Sequence, residues 1–438
     1  MSSSEQHVHD LIGIGFGPSN LALAIALKER HGDGADAVFL EKQPAFGWHR
    51  GMLLEGATMQ VSFLKDLVTM RNPASEFSFL CYLREKGRLL DFINHKTMFP
   101  SRLEFHDYLE WAAARFTGQV EYSSEVVGVT PVHVDGAIEF LDVVARQGDG
   151  TLVTRRARNL VLAAGLEPVL PDGVVSDERV WHSEELLDKL PALRDPRRFV
   201  VVGAGQSAAE VAGHLHAAFP AAEVCAVFAK YGYTPADDSS FANRIFDTAA
   251  VDHFYAAPDD VKERLRAYHA STNYSVVDLE LIDELYRRHY QEKVQGKERL
   301  RIFNASRLTD VSRDDDGLRV AVQFLPTGER TLLDADVLVY ATGYRPTDPL
   351  TLLGETGRLC ERLPGGGVRL GRDYRIATSP ELRCGIYVQG ASEHTHGLTS
   401  TLLSNTAVRV GEIADSLADR LHATSSSSCA PGSVRSLV

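Results

Sequence analysis

Near the N-terminus the apolar positions change from strand spacing to helix spacing across a glycine-rich turn. Residues 8–12 form a short apolar strand pattern, and Gly13, Gly15 and Gly17 follow it. Residues 20–28 then carry apolar side chains at helical spacing. This order is typical of a turn that binds the pyrophosphate of a dinucleotide, because the N-terminus of a helix attracts phosphate.

The residues after this turn point to an unphosphorylated adenosine, as in FAD. Pro18 stands where a third glycine is usual, and the first turn of a helix tolerates proline. An apolar strand is predicted over 37–40, and it ends in Glu41, the expected acceptor for a ribose hydroxyl. We assign the adjacent Lys42 to the same site. A glycine-rich surface loop is the simpler alternative.

A second turn of the same kind begins after the apolar residues 200–202. Gly203 permits the turn, Gly205 lets the backbone approach a pyrophosphate, and Ala208 replaces the third glycine and keeps the helix close to the strand. The strand after this helix ends in Lys230, not in an acid. Because a cation can pair with a 2′-phosphate and an acid repels it, this site is predicted to bind NADPH. An ordinary surface lysine is the alternative for Lys230.

Two dinucleotide turns predict an α/β protein with two Rossmann-like domains, one for FAD and one for NADPH, plus a small, mostly helical substrate region. Buried strands over 159–165 and 336–343 look alike, which suggests that the chain leaves the first domain after one and returns at the other. The predicted division is a discontinuous FAD-binding domain at 1–167 and 336–422, an NADPH-binding domain at 168–237 and 300–335, a substrate-binding helical region at 238–299, and a disordered tail at 423–438.

Composition narrows the class of protein. The 438 residues carry a formal net charge of -13 at pH 7, which argues against nucleic acid or an anionic membrane as a partner. Without a run of about 18 apolar residues or a secretory signal, we expect a cytoplasmic protein. Five scattered cysteines favour reduced thiols and argue against dithiol redox chemistry. His394 and His396 have no further ligand cluster beside them, so we expect no metal.

One long segment without regular periodicity is a candidate for ligand contacts. Residues 46–71 hold Trp48, His49, Gln60 and Lys65, which put aromatic, polar and cationic groups into one loop. Long irregular loops inside compact domains are often functional. A packing loop with solvated charges is an equal alternative.

The rest of the chain alternates between helix and strand patterns. An amphipathic helix is predicted over 105–116, and short strands separated by turns over 119–156. The polar segment 231–300 is predicted to be mostly helical. For its Asn243 and Asn273, helix caps are the simpler interpretation.

Six short motifs stand out along the chain. They are GFGPSN at 15–20, MQVSFLKDL at 59–67, RNP at 71–73, GQSAAE at 205–210, NYSVVD at 273–278 and HTHGL at 394–398. Together they resemble the flavin-dependent N-hydroxylating monooxygenases, in particular the bacterial L-ornithine N5-monooxygenases, over almost the whole chain. The nine-residue motif at 59–67 combined with the last motif is highly specific for this family, whereas glycine turns alone are not.

The resemblance implies roles for the matching positions. The implied contacts are Lys65, Asn243 and Asn273 at the amino and carboxylate groups of ornithine, Ser404 near its side-chain amine, Trp48, His49 and Gln60 beside the flavin, and Gln206 and Ser207 at NADPH. In some members a basic residue meets the 2′-phosphate, and it aligns nearest Ala229 in this chain. Lys230 is therefore a substitute for that residue.

The resemblance also implies the reaction. NADPH reduces FAD, molecular oxygen adds to give a C4a-hydroperoxyflavin, and the neutral side-chain amine of L-ornithine takes up the distal oxygen to give N5-hydroxy-L-ornithine. The product serves siderophore or related natural-product biosynthesis. No protein side chain is expected to act as a catalytic nucleophile, since the flavin carries the chemistry. The family suggests a homotetramer.

Three alternatives stay open at this point. The substrate could be L-lysine or a diamine (putrescine or cadaverine), although a diamine would leave Lys65 without a carboxylate partner. A monooxygenase of sulfur or ketones usually carries Phe-x-Gly-x-x-x-His before the second turn, whereas this chain has Val180-Trp181-His182-Ser183 there. A flavin-binding regulatory protein without turnover is the third alternative.

Overall fold

The computed structural model describes residues 6–32, 35–313 and 317–427. Their strands are β1 (Val8–His9), β2 (Leu11–Ile14), β3 (Ala37–Leu40), β4 (Val120–Glu121), β5 (Ser124–Val134), β6 (Ala137–Gln147), β7 (Leu152–Ala157), β8 (Asn159–Leu162), β9 (Leu166–Pro168), β10 (Val180–His182), β11 (Arg198–Val202), β12 (Glu223–Val227), β13 (Leu300–Phe303), β14 (Ser306–Arg313), β15 (Leu318–Phe324), β16 (Arg330–Ala335), β17 (Val337–Tyr340), β18 (Tyr344–Pro346) and β19 (Gly385–Val388). Their helices are α1 (Pro18–His31), α2 (Phe79–Glu85), α3 (Leu89–His95), α4 (Arg102–Ala113), α5 (Leu186–Lys189), α6 (Gln206–Ala218), α7 (Thr248–Ala256), α8 (Asp259–His269), α9 (Leu279–Gln295), α10 (Glu393–His396) and α11 (Thr406–Ser427).

Strand β2 is the centre of a five-stranded parallel sheet in the order β19-β8-β2-β3-β4. Ile12 pairs with Val38 on one side and with Leu160 on the other. Helix α1 follows β2 through the predicted glycine turn, and its Leu21 and Ile25 are completely buried. The predicted strand, turn, helix and strand are confirmed here. Strand β1, which the pattern joined to β2, pairs instead with β7 in another sheet.

A second five-stranded parallel sheet surrounds β11, in the order β10-β17-β11-β12-β13. Val200 pairs with Leu338 of β17 and with Cys225 of β12. The assignment of 336–343 to the first domain is therefore wrong for β17. Strands β8 and β17 are both short, completely buried and parallel, so their sequences do not reveal which sheet each one joins.

A small antiparallel ribbon marks the two crossings between these sheets. Strand β9 leads from the first sheet to the second, and β18 leads back. The two strands pair with each other, with Glu167 opposite Arg345. In the described ranges the chain passes between its halves at this ribbon, close to the hinge that the prolines after residue 167 suggested.

Two antiparallel sheets, β1-β7-β6-β5 and β14-β15-β16, cover the parallel ones. In the first, β1 is the exception and pairs parallel to β7. The turn between β5 and β6 falls at Asp135 and Gly136, both with positive φ, as the sequence predicts. The next hairpin, from β6 to β7, turns over 148–151, where a turn was also predicted.

Helices α7, α8 and α9 lie between β12 and β13, so the prediction of a mostly helical segment over 231–300 is confirmed. The predicted tail from 423 begins too early, because α11 continues to Ser427. Once a long helix is formed, each added residue gains a hydrogen bond, which offsets the weak helix propensity of threonine and serine. Residues 428–438 of that tail lie outside the described residues. None of the helices in the described part of the chain combines the length and apolar character of a bilayer span.

The first glycine turn generates a stability prediction. Gly15 has a φ of +84°, and a Cβ there would lie 2.5 Å from the Ala163 carbonyl oxygen. We expect Gly15→Ala to lower the free energy of unfolding of the cofactor-free protein by about 2 kcal/mol or more, because both the backbone conformation and the contact oppose a side chain. Urea denaturation followed by circular dichroism measures the change.

Gly118→Ala is the matched control. No atom lies within 4 Å of a Cβ built on Gly118, and its φ is not in the left-handed region. This exposed substitution should change the free energy of unfolding by less than about 0.5 kcal/mol. Equal losses in the two variants would contradict the argument from turn geometry.

Candidate cofactor and substrate site

A cavity of about 2120 Å³ lies where the two parallel sheets and the helical region meet. Its wall includes the first glycine turn, the segment 47–65, the start of α6, parts of 236–285 and the segment 401–406. The predicted site residues that line it are Gly15, Gly17, Pro18, Glu41, Lys42, Trp48, His49, Gln60, Lys65, Gln206, Asn243, Asn273 and Ser404. The structure thus brings side chains from very distant positions of the chain into one cavity.

The first turn presents the bare N-terminus of α1 to the cavity. Gly17 caps α1 with extended backbone, Pro18 starts the helix, and no side chain caps it. Glu41 accepts hydrogen bonds from the backbone amides of Phe16 (2.7 Å) and Gln43 (2.8 Å). Unpaired amides at the end of a helix suit a pyrophosphate, and the fixed carboxylate beside them suits a ribose hydroxyl. The local geometry therefore fits an adenine dinucleotide.

The second turn repeats this geometry at α6. Gly205 caps α6 with extended backbone and again no side chain caps the helix. Gly203 has a φ of +145°, and a Cβ there would collide with the Ala341 carbonyl oxygen. The methyl group of the buried Ala208 lies 3.1 Å from the same built Cβ, so helix and strand approach closely, as predicted. This turn also fits a pyrophosphate.

Several predicted contacts lie off the cavity wall. Gly13 packs against Phe39, whose ring occupies the place that a Cβ on Gly13 would take. Ser207, the second residue of α6, does not line the cavity. Lys230 also lies outside the lining, and its Nζ donates to the carbonyl oxygen of Ser275 at 2.7 Å. Contacts of Ser207 and Lys230 with NADPH stay predictions.

The segment 47–65 forms part of the cavity wall without a strand or an α-helix, in line with its aperiodic sequence. His49 has a left-handed φ of 49°, and its ring centroid lies 4.8 Å from that of Trp48. Burial, and to a smaller extent the nearby Arg102, lower the pKa of His49 to about 4. The imidazole is therefore uncharged at neutral pH.

Two of the predicted ornithine contacts have unused capacity for a ligand. Lys65 Nζ lies 5.6 Å from the ring centroid of Phe246, and within the described residues no carboxylate lies within 4.0 Å of it. Asn243 belongs to the 3₁₀ turn Ala242–Phe246, and its Nδ2 donates to the Asp238 carbonyl oxygen at 2.8 Å. The Oδ1 atom of Asn243 is left to accept from a ligand.

The other two predicted contacts come from different parts of the chain. Asn273 ends the short 3₁₀ turn Ala270–Thr272, so the cap interpretation holds for its backbone, while the residue also lines the cavity. Ser404 is buried in the 3₁₀ turn Leu403–Asn405. Its Oγ has no hydrogen-bond partner within the described part of the chain. A buried hydroxyl without a partner is unfavourable, which fits a polar ligand group at this position.

An ion pair that sequence reasoning missed holds one residue of the cavity wall, Glu210. Arg102 of α4 makes two hydrogen bonds of 2.8 Å to Glu210 of α6, with side-chain exposures of only 13% and 6%. Arg102 also donates to the Met52 carbonyl oxygen at 3.0 Å. The pair thus joins the two halves of the molecule. Glu210 belongs to the GQSAAE motif, but no local pattern indicates its distant partner.

Asp278 connects the third part of the wall to this ion pair. Its Oδ2 accepts from Gln60 Nε2 and from Gln206 Nε2, each at 3.2 Å, and its backbone amide donates to Gln206 Oε1 at 2.9 Å. Gln206 Nε2 also donates to Glu210 at 3.0 Å. Burial raises the pKa of Asp278. Both amide hydrogens of Gln206 are bonded within the protein. Its side chain can therefore contact NADPH only by accepting a hydrogen bond at the second lone pair of Oε1.

The histidines of the HTHGL motif have structural partners. His394 Nε2 lies 2.7 Å from the Val368 carbonyl oxygen. His396 is buried and stacks on Tyr374 at 4.1 Å between centroids, and burial lowers its pKa to about 4.

Among the described residues, one group has a geometry that could hold a metal ion. It consists of His7, His9 and Asp36, and none of them lines the cavity. Exposed groups of this kind are common without a metal, so the expectation that the chain needs none stays a prediction.

Known proteins resemble this chain in sequence and in fold. An L-ornithine N(5)-monooxygenase from Burkholderia cepacia is 44% identical over 401 residues, which cover 89% of this chain and 90% of that protein. The structure of an ornithine N-hydroxylase from Kutzneria sp. 744, described with reduced FAD, NADP+ and L-ornithine, has a TM-score of 0.91 and 47% identity, and the match covers 95% of this chain and 100% of that one. An ornithine hydroxylase from Pseudomonas aeruginosa has a TM-score of 0.89 and 38% identity, with coverage of 95% and 100%.

The family itself follows from these matches. A model of the family described as L-lysine 6-monooxygenase/L-ornithine 5-monooxygenase matches residues 7–346, which is more than half of the chain. The matched region contains both glycine turns, the ion pair between α4 and α6, and three of the four predicted ornithine contacts. The chain therefore belongs to the L-lysine 6-monooxygenase/L-ornithine 5-monooxygenase family.

Proposed function

We propose that this protein is an FAD- and NADPH-dependent monooxygenase that converts L-ornithine and molecular oxygen to N5-hydroxy-L-ornithine, for siderophore or related natural-product biosynthesis. One observation carries the proposal. One cavity joins the bare N-terminus of α1, the start of α6 and the Lys65 ammonium group, which makes no ion pair with any described residue. The similarity to proteins named for ornithine hydroxylation supports the choice of substrate.

The two glycine turns would hold the cofactors. The amides at the start of α1 bind the FAD pyrophosphate, with Glu41 accepting from the ribose, and those at the start of α6 bind NADPH. Lys230 meets the 2′-phosphate if it releases the Ser275 carbonyl oxygen. When bound, FAD reduced by NADPH supplies the activated oxygen.

The polar end of the substrate site would recognise the amino acid head. Lys65 pairs with the carboxylate of ornithine, because no carboxylate in the described part of the chain competes for its ammonium group. The amide oxygens of Asn243 and Asn273 accept from the α-ammonium group. These residues bind and orient the substrate.

The buried end would hold the reacting amine. Ser404 is buried, as are Asn405 and Thr406 after it, and its Oγ is available for one hydrogen bond to the amine. A primary amine has a pKa of about 10.4 in water, and burial lowers it. A site shielded from water here therefore favours the neutral amine, which alone has a free lone pair for reaction.

Hydroxylation of L-lysine is the second candidate, since the family includes it. Lysine has the same head group and one more methylene, and a single methylene is worth about 1–3 kcal/mol of discrimination. Putrescine and cadaverine lack the carboxylate and would leave the Lys65 ammonium without its partner. We therefore rank ornithine first, lysine second and the diamines last.

We also propose that the protein is a cytoplasmic homotetramer. Exposed apolar side chains on α9 (Tyr286, Tyr290 and Val294) and on α3 (Leu90 and Ile93) form surfaces that another copy would cover. The four cysteines among the described residues are free thiols, which suits a reducing compartment.

A substrate panel tests the function. We expect ornithine to stimulate NADPH oxidation with formation of a hydroxylamine, lysine to give at most about a tenth of that product, and putrescine to give the least. A colorimetric hydroxylamine assay on the FAD-loaded protein measures the product. Binding of FAD without oxidation of any amine would support the regulatory alternative. Faster turnover of lysine than of ornithine would identify lysine as the substrate.

The role of Lys65 generates a kinetic prediction. Lys65→Ala should raise the KM for ornithine by about 10- to 150-fold, because it removes a charge-assisted hydrogen bond worth about 1.5–3 kcal/mol. The rate of flavin reduction by NADPH at saturating ornithine should change little, as stopped-flow absorbance would show. Lys86→Ala is the control, since Lys86 pairs with Asp107 and does not line the cavity. Loss of flavin reduction in Lys65→Ala would contradict the assignment.

The pH dependence should report the substrate amine. His49 has a pKa lowered to about 4, so it releases its proton well below neutral pH and stays uncharged above about pH 6. We expect kcat/KM for ornithine to rise steadily from about pH 7 to pH 9, as the neutral amine becomes more abundant. His49→Asn should leave the shape of this profile unchanged. A profile in which the variant loses its rise would show that His49 titrates in this range.

A further inference from the structure

Arg409 of α11 is one of the largest completely buried side chains, with an exposure of 1%. Its guanidinium makes hydrogen bonds only to neutral acceptors within the described residues. Nε donates to Gln389 Oε1 at 3.2 Å, Nη2 donates to Ser19 Oγ at 3.0 Å and to Thr406 Oγ1 at 3.3 Å, and Nη1 donates to the Ser400 carbonyl oxygen. Dipoles therefore surround the charge of Arg409, and no described carboxylate forms a direct ion pair with it.

No carboxylate of the described residues lies within 4.0 Å of this guanidinium. The acid nearest in sequence, Glu412, is engaged by Arg372, with two bonds of 2.7 and 2.9 Å. Burial lowers the pKa of Arg409, yet a guanidinium stays protonated in proteins. A buried charge without a counter-ion is unfavourable and calls for an explanation.

The contacts of Arg409 lead to the first glycine turn. Ser19 is the second residue of α1, and it lines the cavity together with Gln389 and Thr406. Gln389 Nε2 donates to Asn20 Oδ1 at 2.9 Å, and Asn20 Nδ2 donates to the Gly15 carbonyl oxygen at 2.7 Å. Through Nη2 and Ser19, the guanidinium thus contacts the start of α1. Through Nε, Gln389 and Asn20, it is connected to the turn that precedes α1.

We propose that Arg409 is the buried counter-charge of the FAD pyrophosphate. It is a positioning residue, because it acts through Ser19 and through its field and does not itself line the cavity. The pyrophosphate brings negative charge to the start of α1, which Ser19 links to a guanidinium that makes no ion pair within 4.0 Å among the described residues. The inference rests on the proposed function only in taking FAD as the ligand of the first turn.

The test compares Arg409→Met and Arg409→Lys with the unaltered protein. Arg409→Met should raise the Kd of the cofactor-free protein for FAD by about tenfold or more, measured by flavin fluorescence titration, because a charge-assisted interaction is lost. Arg409→Lys retains the charge and should weaken FAD binding less. The increase in Tm on adding ADP should shrink in Arg409→Met, whereas the small shift with adenosine, which has no phosphate, should not.

Arg372→Met is the matched control. Arg372 is a partly buried arginine near α11 whose charge is neutralised by Glu412 and Asp252. Its loss should lower Tm equally with and without FAD and leave the Kd for FAD unchanged. A wild-type Kd in Arg409→Met, with a lowered Tm, would show a purely structural role and overturn the proposal.

Two further outcomes are decisive. If Arg409→Met does not fold, Ser19→Ala and Arg409→Lys test the proposal in its place. Both variants should bind FAD more weakly than the unaltered protein, and an unchanged Kd in both would overturn the proposal. If the unaltered protein itself takes up no FAD, the proposed function is wrong. If the unaltered protein and all variants bind FAD equally well, only the proposed role of Arg409 is wrong.

Discussion

The ion pair between Arg102 and Glu210 constrains how the two halves of the molecule meet beside the cavity. It joins α4 of the first half to α6 of the second, and both side chains are largely buried. Besides the β9–β18 ribbon, this pair is a charged link between the walls that the two dinucleotides would share. A buried charge pair stabilises one arrangement only while both partners are in place, so it specifies how the two halves meet. Asp278 extends the link to the helical region through Gln60 and Gln206.

The cavity shows how an acidic protein can bind anions. The chain has a net charge of -13, yet the cofactors and the substrate head group would bring phosphates and a carboxylate. The positive potential is local: two helix N-termini without capping side chains, the ammonium of Lys65 and the guanidinium of Arg409. Burial strengthens each of these terms, because water screens them less. The overall charge of the protein therefore says little about the charge of its ligands.

Most of the fold could be predicted, because the strongest signals are local. A buried strand, a glycine with positive φ and a helix whose first residues carry no cap are consecutive in sequence, and the turns at Gly15 and Gly203 were found for that reason. Strand β17 was placed in the wrong half, since two buried strands of the same composition can exchange sheets without any local penalty. The length of α11 was underestimated because helix propagation outweighs the propensity of the last few residues.

By itself, the sequence determined the two nucleotide turns, the helical insertion and, through its motifs, the family. Each of these depends on residues that are neighbours along the chain. Only the tertiary structure decided which side chains meet. It showed that both amide hydrogens of Gln206 are bonded within the protein. It also showed that, among the described residues, Asn243 Oδ1 accepts no hydrogen bond and Arg409 has no carboxylate partner. Such facts depend on distances between residues far apart in sequence, and local patterns of polarity carry no information about those distances.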